Sequence, residues 1–155
     1  MKLPGVETEY LFYAEVTQHD DVLINDSFQN ELLISPISGG FFKGEKLSGR
    51  IEGAGPGCTL TRPPDRNDIQ VKLLLRTDDG ENIFLSSEGT LLLDPAVEKR
   101  IVAGEDVPPT DYYYRLHLTF DTGSAKYGWL NGRYCFAIAG IKDWSTICYD
   151  AYLIK

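Results

Sequence analysis

The residues able to do chemistry in this chain are charged and phenolic side chains set inside otherwise apolar runs. Arg76 ends the run Leu73-Leu74-Leu75, and Arg115 and His117 share one face of Tyr112 to Phe120, YYYRLHLTF. Tyr112 and Tyr114 lie on the other face with Leu116, Leu118 and Phe120, while Tyr127 and Trp129 sit two residues apart just before Asn131. Turned inward, a guanidinium would hold a carboxylate or enolate in bidentate fashion. His117 would serve as a base because imidazole titrates near neutral pH, and Tyr114 would serve as its phenolic alternative. A cavity walled by Tyr114, Tyr127 and Trp129, with Arg76, Arg115 and Asn131 as its polar groups, has the composition of a small-molecule site.

Each of these residues also has a plainer role. Arg76 would sit at a barrel rim and pair with Asp78 or Glu81. Arg115 and His117 would occupy the solvent side of a strand buried on one face only. The aromatic residues would pack the core, Asn131 would cap its own turn, and Asp78-Asp79 would be a solvated loop.

Whole classes of chemistry drop out. There is no G-x-S-x-G elbow, no P-loop and no H-E-x-x-H, and His19 and His117 are the two histidines present. The glycine-rich Gly53 to Gly57, GAGPG, is followed by CTLTRPPD, whose paired prolines cannot open the helix that a phosphate loop needs. No metal site and no cofactor are expected. A net charge of −8 disfavours a nucleic-acid backbone or an anionic membrane as partner. Cys58, Cys135 and Cys148 lack C-x-x-C spacing, and the opening Met1-Lys2-Leu3-Pro4 starts no apolar signal. These features point to a reduced, cytoplasmic protein whose partner is a small molecule; the sequence sets no oligomeric state.

The positioning elements are strands. The clearest is the hairpin Ile69 to Gly89. A two-residue loop at Asp79-Gly80 would set Asp78 opposite Glu81, like charge against like charge. A three-residue loop, with Gly80 in the left-handed position, instead pairs Thr77 with Glu81, Leu75 with Ile83 and Leu73 with Leu85. Arg76 then faces Asn82 and Leu74 faces Phe84, so both faces carry apolar residues and part of the hairpin is expected to be covered on both sides. Glu7 to Thr17 alternates, with Tyr10, Phe12, Ala14 and Val16 on one face and Glu9, Leu11, Tyr13 and Glu15 on the other. Val22 to Ile24, Glu31 to Pro36, Phe41-Phe42 and Lys46 to Glu52 follow as shorter strands, with Asn25-Asp26-Ser27 as a loop. Asp94 as N-cap, Pro95 in the first turn and Gly104 as stop mark one short helix, followed by an exposed linker from Glu105 to Thr110. Asn131-Gly132 between apolar runs predicts a hairpin that sets Trp129-Leu130 beside Arg133-Tyr134, and Thr146 to Ile154 is a last strand. With 155 residues, the chain is long enough for one domain, 1–155, that buries about 70% of its unfolded surface. The expected fold is all-β: a single antiparallel barrel of about ten strands with one short helix.

Three fragments in this order, LRTDDG at Leu75 to Gly80, FDTG at Phe120 to Gly123 and YGWLN at Tyr127 to Asn131, resemble domain-of-unknown-function family 3237, also called uncharacterised protein family 311. ISPISGG at Ile34 to Gly40, LTRP at Leu60 to Pro63 and YYYR at Tyr112 to Arg115 extend the resemblance over most of the chain. Cys58 stands where many members carry a tryptophan, and Leu118 where many carry a proline. The resemblance implies a calycin-like barrel of the lipocalin type, common in bacteria, and supplies no reaction. Three functions remain open. The leading one is binding of a small apolar or aromatic molecule, anionic ones included. The second is a cofactor-free isomerase or cyclase, with a Tyr or His acid–base and an Arg oxyanion stabiliser. The third is a protein-interaction module with a filled barrel.

Overall fold

The computed structural model describes residues 1–27, 30–53, 55–62 and 64–155. Apolar–polar alternation there resolves into eleven strands and one α-helix. Eight strands close a barrel by antiparallel pairing in the order β7 (Arg66–Thr77), β5 (Ser48–Gly53), β4 (Ile37–Lys43), β1 (Thr8–Gln18), β11 (Thr146–Ile154), β10 (Cys135–Asp143), β9 (Tyr113–Asp121) and β8 (Asn82–Leu92), which returns to β7. The other three, β2 (Val22–Ser27), β3 (Asn30–Ser35) and β6 (Gly57–Arg62), extend the wall on one side. β5 and β6 share one edge of β7. β5 faces Leu73 to Thr77 and β6 faces Arg66 to Gln70, so the glycine-rich segment between them is a strand connection.

The β7–β8 hairpin has the expected register. Leu73 faces Leu85, Leu75 faces Ile83 and Arg76 faces Asn82. The Thr77 amide donates to the Glu81 carbonyl at 2.9 Å, and Gly80 takes a φ of +89°, where a side chain would be strained. One part of the expectation fails: the outer face is not covered. Leu73, Leu75, Ile83 and Leu85 are buried, whereas on the outer face Leu74 is half-buried and Phe84 is 39% exposed.

Strand β1 departs from simple alternation for a local reason. Its pairing with β11 shifts between Tyr10 and Phe12, a bulge that turns both Leu11 and Phe12 inward and leaves Tyr10 exposed. Residues 25–27 continue β2 rather than forming a loop, through pairing with β3.

The helix α1 (Pro95–Val102) is built as its sequence indicates. Asp94 accepts a hydrogen bond from the Ala96 amide at 2.7 Å, proline opens the first turn, and Gly104 follows with a φ of +81°. Ile101 anchors the helix in the core, and Val107 is buried within the segment expected to be an exposed linker.

The Asn131-Gly132 hairpin does not form. Gly128–Leu130 is a 3-10 turn, and β10 begins only at Cys135. A tertiary bond decides this. The Asn131 amide is committed to the backbone of Thr122, accepting from its N–H at 3.0 Å and donating to its carbonyl at 2.8 Å. Leu130 is fully buried, which draws the segment inward instead of along a strand.

Candidate functional site

The inward face of the barrel is apolar along most of its length, and its two ends differ. At the end carrying the Gly80 turn the interior is filled. Leu47, Leu75, Ile83, Leu118 and Leu130 are all almost completely buried, and Phe12 packs edge-on against Phe42 and Phe120 at centroid distances of 5.5 and 6.1 Å. At the other end, where β2, β3 and β6 extend the wall and α1 lies nearby, a cavity of about 240 Å³ remains. That volume falls at or below the small end of ligand pockets, roughly 300–1,000 Å³.

Its wall is laid down by strand alternation. Ile69, Val71 and Leu73 from β7, Leu91 from β8, Leu116 from β9 and Ile147 from β11 give it an apolar lining. Thr59 and Thr61 from β6, Asn67 from β7 and Ser87 from β8 add neutral polar groups, of which Thr61 is bonded to Asn67 at 2.9 Å. Tyr114 and Tyr149, each 5% exposed, also line it, and carboxylates and Trp144 stand around it. The Tyr149 hydroxyl is buried with no hydrogen-bond partner among the described residues. Burial pushes the pKa of both phenols up, with smaller contributions from Tyr112 on Tyr114 and from Tyr114 on Tyr149. Both are therefore protonated at neutral pH and can donate.

Of the residues singled out from sequence, the cavity takes in Tyr114 and leaves the others elsewhere. Arg76 lies on the outer face of β7 and pairs with Glu52 at 3.2 Å, not with Asp78 or Glu81. Glu52 sits on β5, so the bond crosses a strand pairing that no local sequence pattern shows. Arg115 is on the outer face of β9, its guanidinium 4.6 Å from the Tyr113 ring and donating to the Tyr114 carbonyl at 2.9 Å. His117 is exposed on the same face beside Tyr134, with ring centroids 6.2 Å apart. The inward imidazole and guanidinium required by the proton-transfer arrangement are thus absent from the cavity.

Tyr127, Trp129 and Asn131 belong to the filled end. The Tyr127 hydroxyl donates to Asp79 at 3.0 Å, and Lys46 lies over the Trp129 ring at 5.4 Å. Asp79 is an exposed turn residue, as expected, but it also serves as a tertiary anchor. Lys126, Thr77 and Tyr127 all bond to it, and together they hold its carboxyl well below the usual carboxylate range, Lys126 contributing most. Cys135 is buried, and desolvation pushes its thiol up to about 11.

Sequence reasoning missed Tyr149 and the β6 residues. Tyr149 does carry a signal, since Tyr149, Ala151 and Leu153 alternate as the buried face of β11. Thr59 and Thr61 carry none, because a polar alternation in a short strand looks the same whether it faces a cavity or solvent.

Comparison with known proteins agrees with this architecture. A family model described as "Protein of unknown function (DUF3237)" matches residues 6–154. A UPF0311 protein from Rhodopseudomonas palustris is 26% identical over 151 residues, which is 97% of this chain and 98% of that protein. A crystal structure of a beta-barrel like protein from Acinetobacter baumannii AYE is 31% identical, with a TM-score of 0.84 and 99% of each chain covered. An enzyme from Penicillium herquei shares the fold at 18% identity, with a TM-score of 0.74, over 100% of this chain and 98% of that one.

Proposed function

We propose, for a chain that belongs to the DUF3237 family, that its activity is the binding of a small, largely apolar or aromatic molecule in the cavity at the open end of the barrel. The observation that carries this reading is the Tyr149 hydroxyl, buried in the cavity wall without a partner among the described residues. A buried polar group left unbonded costs about 1–3 kcal/mol, and a ligand oxygen or nitrogen would recover that cost. Tyr114 stands on the same inward surface and supplies a second phenol, and the aliphatic wall supplies contact area.

The isomerase or cyclase reading has less support. Tyr114 faces the cavity, but His117, Arg76 and Arg115 lie on the outer wall, so a proton would have to move between phenols alone. An interaction module with a filled barrel conflicts with the open volume.

The test is native mass spectrometry of the protein purified from its source, alongside a Val71→Trp variant. Val71 lines the cavity and is only half-buried, so the indole fills the space without crowding the packed end. The expected result is a co-purified small molecule on the wild type and none on the variant. A wild-type protein free of any small molecule, which also fails to bind hydrophobic probes, would refute the proposal.

A further inference from the structure

We infer that the cavity selects its ligand by charge, taking a small aromatic or alkyl body that carries a protonated amine and discriminating against carboxylates. This rests on the binding reading above and adds a ligand class to it. Among the described residues around the cavity are four carboxylates, Asp21, Glu31, Asp65 and Glu98, and neither lysine nor arginine. Two arginines that flank lining residues in sequence are committed elsewhere. Arg62 and Arg66 both pair with Asp68, at 2.6 and 2.9 Å, and Asp68 is not a lining residue.

Asp21 accepts from Ser35 at 2.5 Å and lies 3.5 Å from the Gln18 amide, whereas Glu31, Asp65 and Glu98 are exposed. Among the described residues, no three His, Cys, Asp or Glu side chains are grouped so as to hold a metal ion. The carboxylates therefore act on a ligand as a field of one sign, which a cleft with low-dielectric walls focuses. A carboxylate ligand meets that field as like charge, and an ammonium meets it as a counter-charge.

Two aromatic groups favour the same ligand independently of the acids. The unpartnered Tyr149 oxygen has lone pairs to accept an N–H as well as a proton to donate. Trp144, half-exposed among the lining residues, presents an indole, the strongest of the ring faces for a cation.

The experiment titrates the full chain, by calorimetry at neutral pH and low salt, with three probes of one shape: 1-naphthylmethylamine, 1-naphthylmethanol and 1-naphthoate. The amine should bind at least tenfold more tightly than the carboxylate, with the alcohol between them. In the double variant Asp65→Asn/Glu98→Gln, the ratio of amine to alcohol affinity should fall at least threefold. Equal affinities for all three probes, a preference for naphthoate, or an unchanged ratio in the folded double variant would overturn charge selection and leave the binding proposal standing. Failure of all three to bind a chain shown to be folded by circular dichroism would overturn both.

Discussion

At the scale of single residues, three buried tyrosines have different energetic signs. The Tyr112 hydroxyl accepts from the Ile141 amide at 2.8 Å, Tyr127 donates to Asp79, and Tyr149 bonds to nothing among the described residues. Tyr112→Phe should cost about 1–3 kcal/mol because it strands a backbone donor, and Tyr127→Phe about 1 kcal/mol. Tyr149→Phe should instead leave the unliganded protein equally stable or up to about 1 kcal/mol more stable, and weaken probe binding. Urea melts of the three variants check this ordering. Asp79 sets an acid limit. Its carboxyl is depressed in the folded state, so its ionisation stabilises the fold fully above the unfolded value of about 3.9 and that contribution disappears as pH falls through the folded value. Asp68, held at about 2 mainly by Arg66 and Arg62, behaves in the same direction. Melting temperatures of Asp79→Asn should therefore lie below wild type at neutral pH and fall less steeply between about pH 4 and 2.

At the scale of elements, what could be read from sequence depended on whether the deciding interaction was local. The β7–β8 register follows from a charge clash and a glycine within a few residues, and α1 follows from its own cap and stop. Gly80→Val should accordingly lose more than about 1 kcal/mol in a chemical melt, since valine resists a φ of +89°. Gly89 is a different case. A Cβ there would meet the Arg115 carbonyl oxygen at 2.0 Å across the β8–β9 pairing, so Gly89→Ala should destabilise more severely, with a loss of soluble folded protein as its readout. The Asn131-Gly132 pattern gives no hairpin because Asn131 bonds to Thr122, on the far side of the turn segment. The same holds for Arg76, whose partner Glu52 comes into range only when β5 pairs with β7.

At the scale of the whole molecule, the barrel is more legible than the cavity. Alternation along β9 places Tyr114, Leu116, Leu118 and Phe120 inward whatever the partner strands are. The open end depends on β3, β6 and β11 meeting over one volume, and no pattern within any of them announces the others. Among the described residues, no helix is long and apolar enough to cross a membrane. The pairing of β1 with β11, from Thr8 opposite Ile154 to Thr17 opposite Thr146, joins strands from the two extremes of the chain. Closing that seam requires a loop of nearly the full sequence, and loop-closure entropy must be met before its contacts reward it. The β7–β8 hairpin can form on its own within microseconds, but the ring cannot. Refolding should therefore be slow for this length, on the order of milliseconds to seconds, and until the seam closes β1 and β11 each present a bare edge to other chains.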